Sequence, residues 1–114
     1  MIIKNLGDVP FADLRGYEKV SKQIVIGAHD GSNEIVLRYF SLGANGTSPR
    51  HSHGFPHLVK IEAGNGMVTD ESGLEHMLQK GDYVFVSDNE VHHFANTGTE
   101  PFDFICIVPL RGEA

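Results

Sequence analysis

The sequence has little of what several protein classes require. It contains one cysteine, Cys106, in 114 residues, so no disulfide can form within the chain. No apolar run approaches the roughly 20 residues needed to cross a bilayer. No segment keeps a helical period over about ten residues or more. The first residues lack a basic lead followed by a long apolar segment, so we expect no secretory signal and a cytoplasmic protein.

Positive charge is also scarce. The chain has nine Lys and Arg residues and 15 Asp and Glu residues, which gives a net charge of −6 and a pI near 5.5. A surface that follows a phosphate backbone needs clustered cations, so this balance argues against nucleic acid as a partner. The hydrophobic fraction of 40% is ordinary for a globular protein, and we expect one domain spanning residues 1–114.

Short apolar or alternating segments are separated by Gly, Asn and Pro throughout the chain. About nine or ten strands spaced in this way predict an all-β fold, an antiparallel sandwich or barrel. The triplet at residues 64–66 is typical of a tight hairpin turn. The strand candidates are residues 2–6, 17–26, 35–42, 51–63, 67–69, 74–79, 83–86, 91–96 and 102–108.

The last candidate strand is apolar on both faces except at Asp103. A strand covered on both sides in so small a domain suggests that one face packs against another subunit. We therefore expect a homodimer, in which the apolar pair Ile2 and Ile3 is the segment most suited to exchange between protomers.

Three histidines with odd numbers, His51, His53 and His57, fall within seven residues. Successive side chains of a strand point to opposite faces, so these imidazoles share one face if residues 55–56 only bend the strand. Burying three imidazoles together is costly unless their ring nitrogens have a partner, and a metal ion is the simplest one. His92 is a fourth candidate ligand.

These residues resemble the two motifs of the cupin superfamily. His51, His53 and Gly64 match the first motif, with His57 at the position of its glutamate. Gly81, His92 and Asn96 match the second motif, in which Ser87 and Asn89 replace a Pro and a Gly. Asn89 can still adopt the positive φ that the replaced glycine would supply. The leading glycine is displaced, because Gly46 leaves four residues before His51.

The resemblance implies a double-stranded β-helix, or jelly-roll barrel, with one divalent transition metal ion per chain. With His57 in place of the glutamate, the chain is similar to small bacterial cupins with four histidine ligands, including manganese-binding ones from thermophiles. Four imidazoles do not select the metal. Family likeness and availability favour Mn or Fe in the cell, while Zn or Ni could enter recombinant protein. Such a site leaves up to two positions open on an octahedral ion.

Alternation along the strands also predicts the pocket lining. If His92 points inward, so does Phe94, while His93 and Glu62 have the wrong parity for the site. His29 and His76 are interpreted as ordinary surface or core residues and not as ligands. Arg38 is the candidate for holding a substrate carboxylate, because a buried arginine needs an anionic partner. The predicted lining comprises Arg38, Phe40, Phe55, Phe94, Phe104, Cys106 and Val108.

Three functions are compatible with such a site. The first is a metalloenzyme that carries out oxygenase-type chemistry on a small organic substrate. The second is a sugar or uronate isomerase, which needs a general base, and no acidic residue has a parity that aims it at the ion. The third is a non-catalytic module that binds a metal or small ligand.

Overall fold

The protein, described over residues 1–113 in a computed structural model, is built almost entirely of β-strands. The described residues contain no α-helix, only three short 3-10 segments at Leu6–Asp8, Ala28–Asp30 and Leu110–Gly112. In residues 1–113, no helix has the length and apolarity to span a lipid bilayer. The strands are β1 (Phe11–Ala12), β2 (Glu18–Ile26), β3 (Ile35–Thr47), β4 (His57–Ala63), β5 (Asn65–Thr69), β6 (Glu75–Gln79), β7 (Tyr83–Val86), β8 (His93–Asn96) and β9 (Phe102–Pro109).

Strand β3 connects the two halves of one curled antiparallel sheet. Its first part pairs with β9, from Ile35 opposite Pro109 to Leu42 opposite Phe102, and its end pairs with β8 through Thr47 and Ala95. The strand order is β6-β5-β8-β3-β9-β4-β7, and β2 adds to β3 with β1 at its edge. The prediction of an all-β jelly-roll barrel is confirmed.

The interior is formed by alternating side chains, as the predicted parity requires. On β9, Phe102, Phe104, Cys106 and Val108 are all buried, whereas the residues between them are half-buried on the opposite face. Asp103 on that opposite face accepts hydrogen bonds from the hydroxyls of Tyr39 and Ser41. The polar residue in this apolar strand is therefore paired on the outer side of the sheet.

Two local predictions were wrong. Residues 2–6 do not form a strand, because the Asn5 side chain accepts a hydrogen bond from the Gly7 amide and starts the 3-10 segment Leu6–Asp8. The turn at residues 64–66 does not join a hairpin, since β4 pairs with β7 and β9 whereas β5 pairs with β6 and β8. A side chain at Gly66 would overlap the Phe102 ring, so this glycine reflects close packing of β5 against Phe102 of β9.

Candidate metal centre and its cavity

Two chain segments bring the histidines together. His51 and His92 form an antiparallel bridge, in which each backbone amide donates to the carbonyl of the other residue, at 3.1 and 2.9 Å. The Asn89 amide donates to the His53 carbonyl at 2.7 Å. Asn89 has φ of 65°, so it adopts the positive φ expected when it replaces the motif glycine. The loop before His92 thus positions His53 as well.

The third histidine of the first motif begins strand β4. The chain bends through residues 54–56 and resumes as a strand at His57, which pairs with Val86. His57 is 6% exposed and His92 is 3% exposed. The bend preserves the predicted face, since the rings of His53 and His57 have centroids 5.1 Å apart.

Three of the four candidate ligands converge closely. One ring nitrogen from each of His51, His53 and His92 lies within 4.8 Å of the others, an arrangement that could hold a metal ion. His57 lies outside this triangle, although its ring centroid is 5.0 Å from that of His92. The structure therefore bears out a three-histidine cluster, with the fourth histidine beside it.

The environment keeps all four imidazoles neutral at pH 7. Burial, and secondarily the neighbouring histidines, lowers the pKa of His51 to about 4. Burial likewise lowers the pKa of His57 to about 3, with further contributions from His92 and Arg38. The pKa values of His53 and His92 are also lowered, chiefly by burial. Neutral imidazole is the form that coordinates a metal ion.

Two hydrogen-bonding details fit a metal ligand set. The His92 Nδ1 atom lies 2.9 Å from the Glu90 carbonyl, so Nδ1–H donates there and Nε2 keeps a free lone pair. His57 Nδ1 is buried and, among the atoms of residues 1–113, has no hydrogen-bond partner. An unpaired buried nitrogen is costly, and coordination would satisfy it. The residues present thus fit the metal that the fold implies.

The remaining histidines and Glu62 lie elsewhere. His29 is exposed and contacts Lys4 and Asp30, and His76 is exposed beside Asp70 at 2.9 Å. His93 lies opposite Thr69 in the pairing of β5 with β8, outside the cluster. The Glu62 carboxylate lies 3.2 Å from the Lys60 ammonium. These positions agree with their interpretation as residues outside the site.

A cavity of about 340 Å³ opens beside the histidines and is lined by all four of them. Phe40, Phe104 and Phe94 form a stacked row, with successive centroid separations of 5.4 and 4.9 Å. Phe55 stacks on His53 at 4.9 Å with the ring planes 11° apart. Six of the predicted pocket residues line this cavity: Arg38, Phe40, Phe55, Phe94, Phe104 and Cys106.

Val108 differs from the prediction. It has the inward parity but lies opposite Val36, toward the end of β9, where it is 1% exposed and belongs to the packed core. Parity predicts which face a residue occupies and does not predict how far the cavity extends along the strand.

Sequence reasoning missed several lining residues, including Tyr17, Lys22, Ser48 and Arg111. Lys22 had a usable signal, because Val20, Lys22 and Ile24 share one parity and a lysine between two apolar residues marks a cavity-facing position. Arg111 follows the last strand, and no periodic pattern places it.

Comparisons with known proteins agree with this geometry. The model of the family described as Cupin domain matches residues 38–108. No curated protein matches the chain significantly in sequence.

Solved structures similar to this fold include a polyketide cyclase from Streptomyces resistomycificus, with 23% identity, a TM-score of 0.91, and coverage of 96% of this chain and 80% of that one. A predicted oxalate decarboxylase from Thermotoga maritima has 19% identity, a TM-score of 0.83, and coverage of 96% and 99%. A cupin 2 conserved barrel domain protein from Rhodopseudomonas palustris has 29% identity, a TM-score of 0.70, and coverage of 94% and 68%. The family model matches more than half of the chain, and the matched range includes the histidines of both motifs, so the chain belongs to the cupin domain family.

Proposed function

We propose that the protein is a metalloenzyme that binds one divalent transition metal ion and carries out oxygenase-type chemistry on a small organic substrate. The observation that carries this proposal is the convergence of His51, His53 and His92 within 4.8 Å at the wall of a phenylalanine-lined cavity. Mn or Fe is the proposed native metal, and Zn or Ni the expected substitute in recombinant protein.

We propose His57 as the fourth ligand. Its buried Nδ1 atom lacks a partner among the described residues, and its ring lies 5.0 Å from that of His92. Its ring centroid also lies 5.1 Å from that of His53. Four histidines would leave up to two positions of an octahedral ion for substrate or oxygen, which catalysis requires.

A bound divalent ion would supply Lewis acidity and, as Mn or Fe, redox chemistry. The chain itself would orient the substrate and exclude water. The stacked Phe94, Phe104 and Phe40 offer an apolar wall for the substrate body, and Phe55 stacks on His53. The Glu90 carbonyl holds His92 in one tautomer, so its free nitrogen stays directed away from that bond.

The isomerase alternative needs a general base near the substrate. Among the described residues that line the cavity there is no Asp or Glu. The Glu113 carboxylate, which contacts the lining residues Lys22 and Arg38, is held by ion pairs with both of them. This arrangement favours the oxygenase-type reaction over isomerisation.

Metal analysis tests the proposal directly. Elemental analysis and spin resonance of protein purified from its own host should find close to one Mn or Fe per chain. His53→Ala and His57→Ala should each lose most of this metal, whereas His76→Ala, which removes an exposed histidine, should keep it.

Oxygen consumption with candidate small organic substrates then tests turnover. Oxygen consumption that depends on the bound metal would support the oxygenase-type reaction. Tight ligand binding without turnover would instead favour the non-catalytic module, and full metal content in His53→Ala would remove His53 from the ligand set.

We also propose a homodimer that uses the outer face of β9, β4 and β7. Ile107, Leu58 and Phe85 lie side by side across these strands, and Leu58 and Phe85 are 52% and 63% exposed. Ile2 and Ile3 are exposed as well, which leaves them available for contact with a second protomer. Exposed apolar rows of this kind are typical of subunit contacts.

A further inference from the structure

A second charged cluster lies on the cavity wall, apart from the histidines. Lys22 and Arg38 both line the cavity, and both face Glu113, just after the 3-10 segment Leu110–Gly112. The Lys22 ammonium lies 2.7 Å from Glu113 Oε2, and Arg38 Nη1 lies 3.3 Å from Glu113 Oε1. Arg111 also lines the cavity. Two cations and one carboxylate thus meet at one place, and a third cation lines the same cavity, in a protein whose net charge is −6.

Arg38 is poorly satisfied in this cluster. The residue is 8% exposed, and its Nε atom has no partner among the described residues. Nη2 donates to the Cys106 sulfur at 3.0 Å, and a thiol is a weak acceptor. The 3.3 Å contact of Nη1 with Glu113 is longer than the roughly 2.7–2.9 Å of a good charge-assisted bond. A buried guanidinium in this state would gain from a carboxylate that binds it with two oxygens.

The segment that carries Glu113 also covers part of the cavity. Gly112 lines it, and a Cβ atom at Gly112 would lie 2.8 Å from the Phe55 ring, so the backbone rests directly on that ring. Phe55 in turn stacks on His53. The Glu113 ion pairs therefore hold a short segment at the cavity wall, in contact with the ring that stacks on His53.

The rest of the cavity indicates what kind of anion would fit. The Arg38 guanidinium lies 5.1 Å from the centroid of the Phe40 ring, which begins the stacked row of phenylalanines. Tyr17 links this region to the histidines, with its ring centroid 6.5 Å from Phe40 and 6.1 Å from His51. A volume of about 340 Å³ is at the small end of ligand pockets. A small acid with a flat apolar body matches these walls.

We propose that Lys22 and Arg38 form a carboxylate-binding subsite for a small, flat organic acid, and that the Glu113 carboxylate occupies this subsite until the acid displaces it. The inference rests on the proposed function in taking this cavity as the substrate site. It adds the substrate class, and it proposes that Glu113 competes with the substrate carboxylate for Lys22 and Arg38. Displacement would also release the segment that rests on Phe55.

The test compares benzoate with benzamide, which has nearly the same shape but no charge. Calorimetric titration of the metal-loaded protein should show benzoate binding about tenfold or more tightly than benzamide. Glu113→Gln removes the competing charge, so it should tighten benzoate binding by about tenfold and leave benzamide unchanged. Lys22→Gln should weaken benzoate selectively. Glu75→Gln, an exposed glutamate on β6, is the matched control and should behave like the unaltered protein.

Equal affinities for benzoate and benzamide would overturn the proposal. An unchanged or weaker affinity for benzoate in Glu113→Gln, including no binding at all, would also overturn it and leave Glu113 as a structural ion pair only. Metal content is measured on every sample, and the titrations are repeated after metal removal. Charge-selective binding without metal would support the subsite even if the metalloenzyme proposal failed.

Discussion

The metal-free protein should lose stability as the pH falls from 7 to 5. His51 and His57 have pKa values near 4 and 3 in the folded protein, below the ordinary value of 6.5. The unfolded chain therefore binds more protons than the folded one in this range. Stability rises with pH wherever the unfolded state binds more protons, so acidification must destabilise the fold.

The magnitude follows from these values. A histidine whose pKa falls from 6.5 to 3 or 4 on folding lowers the free energy of unfolding by up to about 2 kcal/mol as the pH falls from 7 to 5. The two groups together set an upper bound of about 4 kcal/mol. The cavity is open to water, which reduces the penalty, so we expect a loss of about 2–4 kcal/mol. This is a large part of the roughly 5–15 kcal/mol that stabilises a typical domain.

Urea unfolding of chelator-treated protein at pH 7, 6, 5.5 and 5 measures the effect. The slope near pH 5.5 should correspond to uptake of about two protons or more on unfolding. His57→Gln should lower this uptake by about one proton. Stability that stays constant or rises from pH 7 to pH 5 would refute the argument that burial keeps these imidazoles neutral.

Three further predictions concern other parts of the molecule. Gly66→Ala should lower the free energy of unfolding in urea by about 3 kcal/mol, because its Cβ would overlap the Phe102 ring. Gly43→Ala, where the added Cβ would meet its nearest atom at an ordinary 3.6 Å, should lower it by less than about 1 kcal/mol. Equal losses would contradict the argument that Gly66 is required by close packing against Phe102. Cys106 lines the cavity but is only 3% exposed, and burial raises the pKa of its thiol, so a thiol reagent should label it much more slowly in the native protein than after unfolding. Equal labelling rates before and after unfolding would contradict this placement. Phe85→Glu should convert the proposed dimer to a monomer in sedimentation analysis, and a persisting dimer would exclude this face.

Strand spacing and alternation predicted the all-β class and which side chains face inward, whereas the jelly-roll barrel and the histidine ligand set were predicted from the resemblance to the cupin motifs. Period-two patterning predicts which side chains share a face, and it correctly turned Phe102, Phe104 and Cys106 inward on β9. The wrong strand at residues 2–6 arose because an Asn5 side-chain hydrogen bond competes with extended backbone. The hairpin predicted at Gly66 failed because contact with Phe102, distant in sequence, explains that glycine.

The position of Glu113 shows the limit of sequence reasoning more clearly. Its contacts with Lys22 and Arg38 join residues separated by 91 and 75 positions, and no spacing rule connects them. Arg38 was identified from the sequence as a buried cation in need of an anion, and the structure adds that an internal carboxylate partly meets this need. Sequence patterns therefore predicted the unsatisfied charge, while the identity of its partner required the fold.

The two proposed sites should also influence each other through charge. Four neutral imidazoles contribute no negative charge, so a bound divalent ion would add its full charge to a cavity that is lined by Lys22 and Arg38, the two cations that pair with Glu113. Like charges in one cavity disfavour each other, and a carboxylate ligand would relieve this repulsion. Because coupling between two binding sites is reciprocal, metal should tighten benzoate binding by the same factor as benzoate tightens metal binding. Glu113→Gln removes the carboxylate that pairs with Lys22 and Arg38 and should therefore enlarge that factor. If benzoate leaves the metal affinity unchanged in both the unaltered protein and Glu113→Gln, the metal site and the carboxylate subsite are not coupled by charge.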